Sequence, residues 1–215
     1  MESMVSSWQD KNVLVTGAAG FLGSWIVSSL IEKQANPVCL VLDKNHRSIF
    51  FSQELNKKVT VIDGSLTDFY LLNRILAEYE IEAVIHLGAQ ALVPVANKNP
   101  LSTFESNIKG TWNVLEACRI NDKTVKAIAV ASSDKAYGSS DKLPYTEDLP
   151  LKGDFPYDVS KSCADLITQS YYKTFSLPVA ISRCGNFYGG GDLNFNRLIP
   201  GVIRDILRNR RPIIR

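Results

Sequence analysis

Several things are scarce in this sequence of 215 residues. Excess charge of one sign is the first: 24 Lys and Arg against 22 Asp and Glu leave a formal net charge of +2. That is too little to steer a polyanion or to hold a membrane surface. The longest basic stretch, Arg204 to Arg215, is interleaved with Ile and Leu and reads as an amphipathic helix with a solvated basic face. Neither a nucleic-acid nor a membrane partner is expected. Paired cysteines are missing too. Cys39, Cys118, Cys163 and Cys184 are scattered through apolar or helical contexts with no CxxC spacing, which argues against a zinc site and a disulfide framework. No bound metal is expected. No run approaches about 18 apolar residues, and Met1 to Asp10 lacks the apolar core of a signal peptide. A reducing cytoplasm fits best. Internal repeats, low-complexity tracts and obvious linkers are also absent.

What is present alternates short β-branched runs with longer helical periods. Strands are expected at Asn12–Thr16, Val38–Leu42, Val59–Ile62, Ala83–Leu87, Ala127–Ser132 and Pro178–Ser182. Helices are expected at Phe21–Lys33, Asp68–Tyr79, Thr103–Ile120, Tyr157–Phe175 and Arg197–Arg208. In the first helix Phe21, Leu22, Trp25, Ile26 and Leu30 fall on one apolar face. The strands are continuous apolar runs, as strands covered on both faces should be. The pattern predicts an α/β fold, a Rossmann-type doubly wound parallel sheet with helices on both faces. The long irregular stretch from Asp134 to Pro156 is of a length that is usually functional in a compact domain.

Strand one runs into Gly17-Ala-Ala-Gly20-Phe-Leu-Gly23 and then a helix. Glycine is needed where the turn is tight, where backbone approaches a pyrophosphate, and where helix packs on strand. The helix N-terminus then offers free N–H groups and a positive dipole. About twenty residues after Gly23, at the end of strand two, stands Asp43, placed to accept hydrogen bonds from the adenosine ribose. A carboxylate there repels a 2′-phosphate, so NAD is favoured over NADP, although Arg47 is close in sequence. Tyr157 and Lys161 lie four apart behind Pro156 and share one helical face. A phenol titrates near 10; a neighbouring ammonium and an oxidised nicotinamide would lower it toward use as a base for alcohol oxidation.

Together with Asp43, the motifs Gly17-xx-Gly20-xx-Gly23, His86-Leu-Gly-Ala-Gln90, Asn107, Ser132-Ser-Asp-Lys-Ala-Tyr-Gly138 and Tyr157-xxx-Lys161 resemble the extended short-chain dehydrogenase/reductase family. The resemblance is greatest to its nucleotide-sugar epimerases and 4,6-dehydratases, and it covers the chain after Lys11. It implies cofactor contacts from Gly17, Gly20, Phe21, Leu22, Gly23, Asp43, Ser65, Leu66, Leu87, Ala89, Asn107, Tyr157 and Lys161. It places Gln90, Asn186 and Arg197 on the sugar-nucleotide side. Epimerases of the family carry a Ser or Thr after strand five without a following acid–base pair. Here the run is Ser133-Asp134-Lys135, which resembles CDP-glucose 4,6-dehydratases.

The implied mechanism has Tyr157 taking the proton of the sugar 4-hydroxyl. Protonated Asp134 assists loss of the 6-hydroxyl as water, and Lys135, neutralised by burial and nearby positive charge, removes the C5 proton. A 4-epimerase or another reductive member of the family, and a non-catalytic dinucleotide-binding module, stay open as alternatives. One departure is Gly64-Ser65, where relatives carry Gly-Asp. Ser65 replaces a carboxylate at the adenine amino group. The other is length. Residues 1–185 are expected to form the NAD-binding domain and 186–215 to begin a substrate lobe that is otherwise missing. Arg210 to Arg215 reads as a strand just starting. A homodimer is implied through the helices near Thr103 and Tyr157, where Trp112, Leu115, Leu166 and Tyr172 supply apolar surface.

Overall fold

A computed structural model describes residues 8–140 and 143–213. Six strands form one parallel sheet: β1 (Asn12–Thr16), β2 (Asn36–Val41), β3 (Thr60–Asp63), β4 (Ala83–His86), β5 (Ala127–Ser133) and β6 (Val179–Cys184). Their order is β3-β2-β1-β4-β5-β6. The chain winds outward from β1 to β3, returns to the centre, and winds outward again from β4 to β6. This is the doubly wound arrangement the alternation predicts. The reversal opens a crevice between β1 and β4 at their C-terminal ends, the place where open α/β sheets take ligands. Thr16 pairs in register with both Leu40 and His86. The turn after β1 and the loop after β4 therefore leave the sheet side by side.

The helices are α1 (Phe21–Glu32), α2 (Ile49–Ser52), α3 (Phe69–Glu78), α4 (Val93–Lys98), α5 (Pro100–Phe104), α6 (Gly110–Ile120), α7 (Pro156–Phe175) and α8 (Leu198–Leu207). Alternate strand residues face opposite layers. Leu14, Leu40, Val84 and Val130 pack with residues of α3 and α6. Val13, Val15, Cys39 and Val41 pack with Val27 and Leu30 of α1 and Phe50 of α2. Fully burying one such side chain is worth about 1.5–3 kcal/mol, so the two layers supply most of the driving force for this half of the sheet.

Four local expectations change. The helix read from Thr103 to Ile120 is interrupted: α5 passes through a π-helical turn, Glu105–Lys109, into α6. Trp25 is 47% exposed rather than on the buried face of α1; Gly23, Ser24, Val27 and Leu30 form that face. Both-sided cover holds for β1 and β2 but not for β5 and β6, where Ala127, Ala129, Ala180 and Ser182 are exposed on one side. Residues 210–213 form no strand, because Arg210 turns back onto α8: its N–H bonds Asp205 O at 2.8 Å and its guanidinium lies 3.7 Å from that carboxylate. Residues 214 and 215 lie outside the described residues.

One buried ion pair ties the edge of the sheet to the segment after β5. The Arg183 guanidinium, on β6, gives two hydrogen bonds of 2.8 and 3.0 Å to the fully buried Asp165 of α7. It also donates to Tyr137 Oη at 3.0 Å and Glu147 O at 2.7 Å, and it stacks over the Tyr137 ring. Tyr137 ends the short 3-10 turn Asp134–Tyr137, so Arg183 helps to fix the position of Asp134 and Lys135. Burial pulls the Asp165 carboxyl upward, but the hydrogen bonds from Arg183 and Gln169 outweigh it and hold the group below the usual range. Arg183→Met should therefore cost about 3–5 kcal/mol in urea unfolding at pH 7, because it strands a buried charge. Arg183→Met with Asp165→Leu should recover most of that. A group held low stabilises fully above the usual carboxylate range and loses the effect as pH falls through its folded value. The gap between Arg183→Met and wild type should then close in acid; equal stability at pH 7 would remove Arg183 from this role.

Candidate active site

The glycine turn is shaped by backbone contact. Gly17 has φ +68°, and a Cβ on it would come within 2.8 Å of Gly88 N. A Cβ on Gly23 would lie 2.1 Å from Gly17 O. Neither position admits a side chain. Gly20 caps α1 without any side-chain hydrogen bond, so the first N–H groups, at Phe21 and Leu22, are left for an anion at the positive end of the helix. These residues fit a dinucleotide pyrophosphate. Asp43 follows β2 at the same edge of the crevice. It is exposed, and its carboxylate has no partner among the described residues; its neighbour Lys44 pairs with Asp63 instead, at 2.8 Å. That carboxylate is available to ribose hydroxyls. Arg47 is likewise exposed.

Ser65 is partly engaged. Its hydroxyl lies 2.8 Å from Thr67 Oγ1 and accepts the Thr67 N–H at 3.1 Å. The next residue, Leu66, is a wedge: a Cβ on Gly88 or Gly110 would meet its side chain at 2.7 and 2.8 Å. Leu66 thereby sets the height of the loop carrying half-buried Leu87 and Ala89. Asn107, expected near the nicotinamide, is buried in the π-helical turn. Its Oδ1 accepts Gln90 N–H at 2.7 Å, and its Nδ2 donates to Gln90 O at 3.0 Å and Ser160 Oγ at 2.9 Å. Both amide protons are used, so this side chain fastens the loop rather than facing a ligand. Gln90 folds its own Oε1 onto Leu92 N–H at 2.7 Å.

Tyr157 sits half-buried in the first turn of α7, behind Pro156. Lys161, one turn on, is buried and donates to Ala131 O at 2.8 Å. Burial brings its ammonium down to about 8, opposed by Cys184 and Asp165. The Tyr157 phenol moves against expectation. Burial raises it, with Asp134 and Asp158 adding to the rise, while a hydrogen bond with Ser133 and the charge of Arg197 oppose. The lowering expected from Lys161 does not offset this, because burial dominates and that ammonium is turned to Ala131 O.

Ser133, Asp134 and Lys135 stand together at the C-terminal end of β5. Ser133 Oγ donates to Asp134 Oδ1 at 3.0 Å and accepts Lys135 N–H at 3.2 Å. Asp134 faces the end of β6, where a Cβ on Gly185 would lie 4.0 Å from its Oδ2. Lys135 is exposed, a correction to the buried base the sequence reading required, since the 3-10 turn points it outward. Its charge acts on Asp158, whose carboxyl is raised mainly by burial and held back by Lys135. Beyond β6, Asn186 is exposed, and Arg197 pairs with buried Asp192 at 3.2 Å. Trp25 Nε1–H donates to Gly190 O at 3.0 Å, seating this segment on α1. That tie was not foreseen, because a helical period shows which face is apolar but not what crosses the opposite one.

Among the described residues no group of three His, Cys, Asp or Glu is placed to hold a metal ion, and no helix is long and apolar enough to cross a membrane. The crevice thus brings together a glycine turn, a free carboxylate, a Tyr–Lys pair and a Ser-Asp-Lys run. Known proteins share this frame. The chain is 35% identical to CDP-glucose 4,6-dehydratase of Salmonella typhimurium, over 97% of this chain and 61% of that one. It superposes on a dTDP-glucose 4,6-dehydratase from Streptomyces venezuelae solved with NAD and TYD bound, at TM-score 0.80 and 28% identity, covering 92% of this chain and 62% of the other. A UDP-glucose 4-epimerase from Thermotoga maritima, solved with UDP-glucose, superposes at TM-score 0.82 and 26% identity, covering 93% and 64%. The chain therefore spans about three fifths of the length of these relatives. The GDP-mannose 4,6 dehydratase family model matches residues 14–215, and the chain belongs to that family.

Proposed function

We propose that this chain binds NAD in the crevice between β1 and β4 and acts in a nucleotide-sugar 4,6-dehydratase on a substrate like CDP-glucose. The observation that carries the reading is the Ser133-Asp134-Lys135 run beside Tyr157. A tyrosine able, once ionised, to take a hydroxyl proton stands next to a carboxyl able, once protonated, to give one. The similarity to a CDP-glucose dehydratase supports the substrate class, and the NAD held by a dehydratase of the same fold supports the cofactor.

Gly17, Gly20, Phe21, Leu22 and Gly23 would hold the pyrophosphate, Asp43 the ribose, Ser65 and Leu66 the adenine side, and Leu87 and Ala89 the path toward the nicotinamide. The chemistry supplied by the cofactor is removal of hydride at C4 of the sugar and its return at C6. As phenolate, favoured by the Lys161 ammonium, Tyr157 takes the proton of the 4-hydroxyl as a general base and is left as the neutral phenol. The C4 ketone acidifies C5–H. Lys135 takes that proton, and Asp134 gives its own to the departing 6-hydroxyl, so one water leaves. Lys135 would return its proton to C5 as hydride is restored at C6. Lys135 is exposed in the protein alone; the sugar nucleotide itself would cover it. On this reading Gln90, Asn186 and Arg197 would serve the substrate once Gln90 and Arg197 leave their present partners. Residues 1–185 would serve the cofactor, and 186–215 would begin the sugar side.

Trp112 on α6 and Leu166 and Tyr172 on α7 are exposed apolar side chains, and we assign them to a homodimer interface; Leu115 is core. Four free cysteines accord with a reducing compartment, the cytoplasm.

Incubated with CDP-glucose and NAD, the protein should yield a 4-keto-6-deoxy product lighter by one water; an unchanged mass with inverted C4 would make it an epimerase, and cofactor binding with no turnover a binding module. In the same assay Lys135→Ala should slow water elimination by about 10²–10⁴-fold, while a wild-type rate would remove Lys135 as the base. Light scattering should give twice the chain mass, and Leu166→Glu should halve it; a monomeric wild type would remove the interface.

A further inference from the structure

Beneath the crevice, buried polar side chains join the glycine turn to α7 in one line that passes through the backbone carbonyl of Asn107. Thr16, at the end of β1, accepts the N–H groups of Leu87 and Gly88 at Oγ1, each at 3.1 Å. Two donors occupy the lone pairs of that oxygen. Its own O–H must therefore donate, and His86 Nδ1 receives it at 2.8 Å. On the other side of the ring, Nε2 lies 3.1 Å from Thr111 Oγ1. The Thr111 O–H is already given to Asn107 O at 2.6 Å, so Nε2 carries the hydrogen. The neighbours leave one protonation state: a neutral imidazole with Nδ1 as acceptor and Nε2–H as donor. Burial agrees, pulling the imidazole down to about 3, with the Lys161 charge acting in the same direction.

The line continues past the ring. The Asn107 side chain clamps both backbone groups of Gln90 and donates to Ser160 Oγ, whose O–H goes to Tyr157 O at 2.6 Å. Along it Thr16, His86, Thr111, Asn107 and Ser160 each donate toward α7. At one end Thr16 adjoins Gly17 and holds the loop bearing Leu87 and Ala89; at the other, Ser160 lies between Tyr157 and Lys161 in sequence. His86 touches neither the phenol nor the surface of the crevice, being buried.

We infer that His86, as the neutral Nε2–H tautomer, is a positioning residue that keys the glycine turn and the β4 loop to the helix carrying Tyr157 and Lys161. The hydride-accepting face and the proton-accepting phenol are thereby held in one register. The ring accepts on one edge and donates on the other, and the reversed tautomer would set donor against donor at Thr16. The inference rests on the NAD reading above for its consequence, though not for the line itself.

The chain has two histidines, so His46→Gln leaves His86 as the sole imidazole in a nitrogen-15 spectrum. At pH 7 it should show an unprotonated Nδ1 and a protonated Nε2; an Nδ1–H, a charged ring or a tautomer average overturns the assignment. Thr111→Val, which keeps shape but cuts the line, should speed exchange of the Leu87 and Gly88 amides at least tenfold and weaken NAD about tenfold. Thr111→Ser should restore both to within about twofold. Unchanged exchange at Leu87 and Gly88 in Thr111→Val overturns the positioning role. If Thr111→Val does not fold, full amide protection in a folded His86→Gln variant does the same. A wild-type chain that fails to bind NAD defeats the functional reading, while the spectrum and the exchange rates still decide the line.

Discussion

Where the turn after β1 meets the loop after β4, backbone passes backbone with no room for a Cβ between. Gly17 lies against Gly88, Gly23 against Gly17 O, and Leu66 presses on Gly88 from the other side. Everything in the crevice takes its position from this contact. It aims the N-terminus of α1 at the opening, it sets how far Leu87 and Ala89 stand from that helix, and it brings Thr16 Oγ1 within reach of two amides of the neighbouring loop. A single methyl group would push the two segments apart, and the hydrogen bonds beneath would lengthen with them.

Burial also governs the titrating groups. Without a cofactor the Tyr157 phenol lies above its ordinary value and the Lys161 ammonium falls to about 8. Both shifts favour the neutral form, as desolvation must. The protein alone therefore does not assemble a phenolate. It supplies a dry phenol beside the Ser133 hydroxyl and a nearby ammonium, and a further positive charge is needed to tip the balance. On the function proposed above, that division of labour suits a proton acceptor that should act only when a cationic ring and a sugar hydroxyl are both in place.

Much of this was legible in the sequence because the relevant demands are local. Glycine at positions 17 and 23, an acidic residue ending β2, and Tyr157 and Lys161 on one helical face each follow from spacing within one or two elements. The order of strands followed from their alternation with helices. What was not legible depends on partners distant along the chain. The π-helical turn at Glu105–Lys109 lies between two α-helical segments, so the sequence reads through it as one helix. Trp25 was grouped with the core because an apolar residue near the right angle looks buried; its cover instead comes from Gly190, across the whole length of the domain. Lys135 needed burial to serve as a base, and exposure of a loop residue is decided by how the turn is anchored. No local pattern announces that Thr16, His86, Thr111 and Ser160 form one line, since each is an unremarkable polar residue until the elements pack.

The two anchors of the site differ in kind. Arg183 fixes the segment bearing Asp134 and Lys135 through charge, with four hydrogen bonds to Asp165, Tyr137 Oη and Glu147 O. The line through His86 fixes the cofactor side through neutral hydrogen bonds whose directions are determined by their neighbours. A charged anchor is strong but sensitive to protonation; a neutral one holds orientation without adding a field. Placing the neutral anchor next to Lys161 avoids a second cation beside the ammonium that the phenolate requires. The charged one sits at the sheet edge, where its carboxylate partner already cancels it. The electrostatics of the crevice are thus left to Tyr157, Lys161 and Asp134, the groups to which the proposed chemistry is assigned.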